Sequence, residues 1–458
     1  MKLRRIVSLF LLLVILCGQT LFTSAYAIDN ISINAKAALL VDAETGTVLY
    51  EQNAHDELPP ASLTKVMTAL LVFDAIQSGK LRLDQTITAT ASALVGLPSD
   101  GSNADPAIVA GEQMTVEDLL YCMLVVSANE TCNILGETIS GSVTAFVDAM
   151  NAKAQALGCK NTHFANTNGL TDSQHYTSAY DLWLITQAAL QYDEFRYICS
   201  ATWKNIEPTN KCDHVRALHT TNSLLDGWRY AGYQYANATG IKTGTTDAAG
   251  HCLLASATKG SRDLVSVILG AETAPDGKGG TDIMSFRETT RLFEWGFANF
   301  TTKTVLSEDE LIQEVPVALS KETNYVVVHP SYTATAVLPN DVEPEAMTRT
   351  VRLHADSVNA PVAAGDELGT ITLSYNGADY ATVPLLAMND VTASRFLTAK
   401  YNIQQFFARK IVKIVLLVFI LLVVVFVLWW KFRRPQRRYG KHRSGYARRG
   451  SYHGRRRR

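Results

Sequence analysis

Seventeen consecutive residues, Ile414 to Trp430, carry no charge, and Ile411 and Val412 lengthen the run if the Lys413 ammonium snorkels to the surface. A run of that length spans a bilayer. A helix buried in a globular core would not end in Trp429-Trp430 and continue as KFRRPQRRYGKHRSGYARRGSYHGRRRR, which holds thirteen Lys or Arg and no acid. Interfacial tryptophans and a basic flank place the tail, residues 431–458, in the cytoplasm and residues 28 to about 408 outside. The fold must therefore be built from an exported segment tethered at its C-terminal end, with 414–430 as the span and 396–413 as a juxtamembrane stretch.

The N-terminus agrees with this. Lys2, Arg4 and Arg5 precede the apolar run Ile6 to Cys17, and Ala25-Tyr26-Ala27 supplies a small-x-small cleavage site, so residues 1–27 read as an export signal. A lipid anchor on Cys17 is disfavoured because the bulky Leu16 precedes it. The formal net charge of -1 conceals an asymmetry: all 43 acids lie in 28–408 beside 23 Lys and Arg, so the exported part carries -20. That balance argues against nucleic acid as a partner of the ectodomain. The tail reads as a disordered stop-transfer flank, with anionic lipid or nucleic acid as the less favoured contacts.

Six cysteines follow the signal: Cys122, Cys132, Cys159, Cys199, Cys212 and Cys252. In an exported chain Cys199 and Cys212 form the most plausible disulfide, while reduced cysteines filling a core fit equally well. No pair has metal-ligand spacing with nearby histidines, so neither a metal nor a cofactor is expected.

Residues 37–51, AALLVDAETGTVLYE, read as a hairpin turning at a glycine. Helices are expected from Ser62 to about Gln77, Thr115 to Val126, Ser142 to Leu157 and Ser178 to Leu190, most opening on Ser or Thr as N-caps do. GHCLLASA and DLVSVILGA then read as strands, and Ile283 to Phe297 as a closing amphipathic helix. Strands, then helices, then strands suggest one antiparallel sheet flanked by helices, an α+β domain over 28–300. From 301 to 395 short alternating segments with turn signals, including Asn376-Gly377, indicate a small β-rich domain.

Three stretches carry candidate chemistry. In ASLTKVMTALLVFD, Ser62 and Lys65 are three residues apart and share a helix face. Burial among Val66, Met67, Ala69 and Leu70 would weaken the ammonium and make the amine a base for the serine, which is a poor nucleophile unaided. Alone the pattern is weak, since Ser256 and Lys259 repeat it where SATKGSRD reads as a strand end. Ser127-Ala128-Asn129 falls between two expected helices, where a hydroxyl could pass a proton and an amide hold a substrate carbonyl. Ser-x-Asn also recurs at Ser32, Ser357 and Ser374. Lys242-Thr243-Gly244 occurs once, ahead of a strand, and offers a cation and a hydroxyl to a carboxylate and a close backbone approach at the glycine. Each stretch alone is better explained as a coincidence or a solvated surface.

In this order the three resemble the S-x-x-K, S-x-N and K-T-G elements of the serine penicillin-recognising enzymes. The chain is similar in particular to the low-molecular-mass penicillin-binding proteins that are D-alanyl-D-alanine carboxypeptidases. VVSANETCNILGE, LGCKNTHFANTNGL, TSAYDLWLITQAAL, GIKTGTTDAAGHCLLASAT, FRETTRLFEWGF and APVAAGDELGTITLSYNGADYATVPLLAM extend the likeness over nearly all of 35–395. The resemblance implies a β-lactamase/transpeptidase-like catalytic domain acting in peptidoglycan biosynthesis, and hence on the cell wall and cell shape. It implies Ser62 as nucleophile, Lys65 as general base, and Ser127 and Asn129 as proton relay and substrate clamp. Lys242, Thr243 and Gly244 would receive the terminal carboxylate, and the backbone N–H groups of Ser62 and Thr245 the oxyanion. Peptidoglycan stem peptides are the implied substrates, β-lactams the implied covalent inhibitors, and the plasma membrane the implied location.

The chain departs from the family in its true span, and between Ser200 and Gly240, where only Thr221 to Asp226 matches. Class A β-lactamases add a deacylating glutamate, and NTHFANTNGLTDSQHY contains none. A D,D-endopeptidase and a wall-binding scaffold with a relict site remain the alternatives. His163, His175 and His251 are left out of the site, with structural hydrogen bonding or solvent exposure as their expected state.

Overall fold

The computed structural model of the protein describes residues 31–433 except Asp100 and Lys278. The export signal at 1–27 and the tail beyond Arg433 lie outside the described residues. Contacts divide the chain into two units, one of them residues through Ser307 with Tyr332–Thr350 and Thr372–Val383.

This first unit begins with β1 (Ala37–Asp42) and β2 (Val48–Gln52), an antiparallel hairpin turning at Gly46, which has φ +72°. The helical region comprises α1 (Lys65–Gln77), α2 (Val116–Leu124), α3 (Asn129–Ser140), α4 (Val143–Ala156), α5 (Ala179–Ala189) and α6 (Asp193–Ser200). The chain returns through β3 (Ala238–Thr246), β4 (Gly250–Lys259) and β5 (Arg262–Ala271), and α7 (Met284–Asn299) follows. The sheet is five-stranded in the order β2-β1-β5-β4-β3, antiparallel at every pairing, so β3 is an edge strand. One core lies between the helical region and one sheet face; a second, with Phe286, Leu292 and Phe293 of α7, covers the other face. Burial on both faces explains why β1 and β5 read as continuous apolar runs.

The caps fall where the hydroxyls predict. Thr115, Ser142 and Ser178 each accept a hydrogen bond from the backbone N–H three residues on, opening α2, α4 and α5. Ser62 differs: it sits in a 3-10 turn, Ala61–Thr64, and the α-helix proper starts at Lys65. The sequence reading also passed over α3 and α6. Neither opens on a side-chain cap, and α3 mixes Asn, Glu and Thr with its apolar residues.

The second unit comprises Glu308–Ser331, Val351–Ile371 and residues from Pro384 onward. Its strand Tyr325–Pro330 pairs antiparallel with Gln313–Ala318 and with the end of Ala378–Ala387, and Val317 pairs parallel with Val358. Asn376 and Gly377, both at positive φ, form the two-residue turn between Glu367–Tyr375 and Ala378–Ala387, within the Thr372–Val383 stretch that belongs to the first unit. Arg395–Ala408 forms α8, and Lys410–Arg433 forms α9, a 24-residue helix long and apolar enough to cross a membrane. The expected juxtamembrane stretch is thus helical.

All six described cysteines are free thiols. The disulfide considered for Cys199 and Cys212 is absent: Cys199 packs against Gly240, and Cys212 Sγ lies 3.3 Å from the His214 carbonyl.

Candidate active site

α1 is apolar around most of its circumference, which makes it a core helix rather than a surface one. Its first residue, Lys65, is completely buried. The Lys65 Nζ donates to Ser62 Oγ at 2.8 Å, Asn129 Oδ1 at 2.8 Å and the Asn168 carbonyl at 2.7 Å. Desolvation lowers its pKa to about 8, opposed by the nearby Cys132 and Glu130. At that value roughly one lysine in ten is a free amine at pH 7, far more than for a solvated lysine.

The turn that carries Ser62 is held from several sides. Ala61, just before Ser62, has φ +47°, a left-handed conformation uncommon for residues with a side chain. Thr64 Oγ1 donates to the Ala61 carbonyl at 2.8 Å and contacts His175 Nε2 at 2.8 Å. His175 Nδ1 accepts from the Ala165 N–H, so the ring proton lies on Nε2 and is donated to Thr64. Burial lowers the His175 pKa to about 4, which keeps the ring neutral. His175 is buried and braces the turn through Thr64.

The loop that accepts from Lys65 is built by Asn side chains. Asn166 Oδ1 accepts from the Gly169 N–H at 2.7 Å, and Asn168 Oδ1 from the Leu170 N–H at 3.1 Å, leaving the Asn168 carbonyl for the ammonium. Asn168 went unassigned in the sequence reading because it acts through its backbone.

Ser127 and Asn129 stand at the junction of α2 and α3. Ser127 has φ +67°, and its Oγ is buried without a hydrogen-bond partner among the described residues. Left-handed conformations of this kind concentrate where surrounding structure imposes them, at active sites especially. The Asn129 backbone N–H donates to the Ser102 carbonyl, and its side chain faces Lys65.

β3 completes the arrangement. A Cβ on Gly244 would fall 3.0 Å from the Ser62 nitrogen, so this strand and the serine turn touch backbone to backbone. Lys242, two residues away, is 1% exposed and donates to the Thr243 carbonyl at 3.0 Å. Burial first and the neighbouring Lys65 second lower its pKa to about 7. Thr243 Oγ1 hydrogen-bonds Thr221 Oγ1 at 2.6 Å, and Thr245 Oγ1 pairs with His251 Nδ1 at 3.3 Å.

Two hollows meet at Ser62 and Thr245. One, of about 160 Å³, is lined by Ser127, Thr221, Arg229, Thr243, Gly244 and His251 among others. The other, of about 430 Å³, is lined by Ser102, Asn129, Gly169, Leu170, Thr171 and Asp247 among others. Among the described residues no cluster of three or more His, Cys, Asp or Glu is arranged to hold a metal.

Residues 23–273 match the family model of D-alanyl-D-alanine carboxypeptidases, and residues 300–393 match the C-terminal domain of penicillin-binding protein 5. The chain is 31% identical to D-alanyl-D-alanine carboxypeptidase DacF of Bacillus subtilis over 81% of its own length and 89% of the relative's. It is 30% identical to DacC of Escherichia coli, covering 83% and 90%. Among solved structures, penicillin binding protein 5 of Haemophilus influenzae superposes with a TM-score of 0.63 at 31% identity, covering 79% of this chain and 99% of that one.

Proposed function

The chain belongs to the D-alanyl-D-alanine carboxypeptidase family and is a serine peptidase of that activity; from that premise we propose the following assignment of its residues. Neutral Lys65 takes the proton of Ser62 Oγ as that oxygen attacks the carbonyl carbon of the penultimate D-alanine. The tetrahedral oxyanion would lie between the backbone N–H groups of Ser62 and Thr245, main-chain donors of the kind that stabilises developing charge. Collapse breaks the C–N bond, and Ser127 Oγ relays a proton to the departing amine. Free D-alanine leaves an ester on Ser62, and water then attacks that ester to restore the serine. Asn129 holds the substrate amide, and Thr243, backed by Lys242, lies on the side of the terminal carboxylate.

The observation that carries this reading is the contact of a fully buried lysine with a serine at 2.8 Å, beside an otherwise unpartnered buried serine hydroxyl. Peptidoglycan stem pentapeptides are the proposed substrates. β-Lactams, strained amides bearing a carboxylate, would acylate Ser62 without a leaving group that diffuses away. We assign 28–300 to the catalytic domain and 301–395 to the C-terminal domain, in keeping with the ranges of the two family models. α9 fits a membrane anchor; with the basic residues beyond it, the catalytic domain would face outward and the tail the cytoplasm.

The test is release of D-alanine from a soluble stem pentapeptide by the detergent-solubilised protein. Release by the wild type and not by Ser62→Ala supports the assignment; equal release by both would overturn it.

A further inference from the structure

Terminal-carboxylate recognition requires a cation that faces the substrate, and Lys242 does not face it. Lys242 is 1% exposed, its ammonium is committed to the Thr243 carbonyl, and it is not among the residues lining either hollow. Arg229 lines the hollow that also holds Ser127, Thr221 and Thr243. Among the described residues Arg229 makes neither an ion pair nor a hydrogen bond; its recorded contacts are Tyr230, whose ring lies 5.8 Å from the guanidinium, and the field it exerts on Lys242. In an ectodomain with 20 more acids than bases, a cation left without an acid in the catalytic cleft is available for a substrate.

The loop that carries Arg229 is held in place. Trp228 stacks on His219 with ring centroids 4.0 Å apart and planes 11° from parallel, and the Trp228 backbone N–H donates to Asp226 Oδ1 at 2.6 Å. The Gln234 amide packs over Gly227, where a Cβ would lie 2.0 Å from Gln234 Nε2. This loop falls within Ser200–Gly240, where the chain departs from the motifs of its family.

We propose that Arg229 is a specificity-determining residue of this enzyme, binding the free C-terminal carboxylate of the substrate from the lip of the cleft opposite Thr243. A guanidinium offers planar paired donors that match a carboxylate. A guanidinium, unlike an amine, does not serve as a proton acceptor in such chemistry. Lys242, weakened to about 7, would lose its charge over the same range in which Lys65, at about 8, becomes basic. Arg229 therefore separates carboxylate binding from the proton chemistry beneath β3. This inference rests on Ser62 being the nucleophile.

The test compares acylation of the full-length protein by benzylpenicillin and by its methyl ester, which lacks the anionic charge. Wild type is expected to prefer the free acid, and Arg229→Ala to reduce that preference by about tenfold, mainly through slower reaction with the acid, in line with loss of a charge-assisted pair. Arg229→Lys should recover part of the preference. An unchanged preference in Arg229→Ala overturns the inference while leaving Ser62 as nucleophile intact. An equal loss with both compounds also overturns it, because that would report a disturbed lip. If wild type is acylated by neither compound, both the inference and the reading beneath it fail.

Discussion

Gly169 and Ala61 approach so closely that a Cβ added to Gly169 would lie 1.8 Å from the Ala61 carbonyl oxygen. Gly169 also has φ +91°, where a side chain is strained regardless of space. The glycine thus lets the loop that accepts from Lys65 rest directly on the turn that presents Ser62. Gly169→Ala is expected to destabilise the protein by about 2 kcal/mol or more and to slow acylation at least about a hundredfold. Thermal melting and penicillin labelling would check this; normal labelling would show that the contact does not position the serine.

The pH dependence follows from Lys65. With Lys65 as the proposed general base, the productive form is the neutral amine, and burial lowers its pKa to about 8. Acylation should therefore rise roughly tenfold per pH unit below about 8 and level off above it. Lys65→Arg keeps the charge but cannot supply a neutral base, so it should lose about a thousandfold or more across the whole range. A flat profile between pH 6 and 8 would remove Lys65 as the base.

Arg216 and Glu112 form a buried ion pair at 2.8 Å, each side chain 1% exposed. Arg216 Nε also donates to the Pro106 carbonyl at 2.9 Å, and Thr209 Oγ1 to Glu112 Oε1 at 2.7 Å, so the pair ties together three loop segments. Arg216→Met leaves the carboxylate buried without its cation and should cost about 3–5 kcal/mol. Denaturant unfolding of that variant beside Glu112→Gln/Arg216→Met measures the pair; a single variant as stable as wild type would mean that the carboxylate finds another partner.

The cysteines give a direct chemical count. Denaturation without reductant should expose six alkylatable thiols in the chain beyond residue 27, because all six are free. Four alkylations, with Cys199 and Cys212 protected, would show instead that the pair oxidises on export.

Some of this was already written in local sequence. Thr115, Ser142 and Ser178 announce α2, α4 and α5 because a cap is a contact over three residues. Asn376-Gly377 announces its hairpin in the same way, and the charge-free run Ile414–Trp430 implies α9 through length and composition alone. The candidate motifs were legible too, since Ser62 and Lys65 needed only helical spacing to meet.

What tertiary structure decided is which groups those residues face. The carbonyl that accepts from Lys65 belongs to Asn168, 103 positions away, and Asn129 is 64 positions away. β3 alternates its faces whichever way it is turned; packing against the serine turn is what buried Lys242 and exposed Thr245. Ser256 and Lys259 repeat the motif spacing on a strand, where residues three apart point to opposite faces and no catalytic pair can form. Sequence by itself implied the α+β design, an apolar helix long enough to cross a membrane and a set of candidate reactive residues, because those depend on composition and short-range geometry. The depth of each lysine and the place of Arg229 at the cleft depend on desolvation and long-range contacts, and only the folded chain sets them.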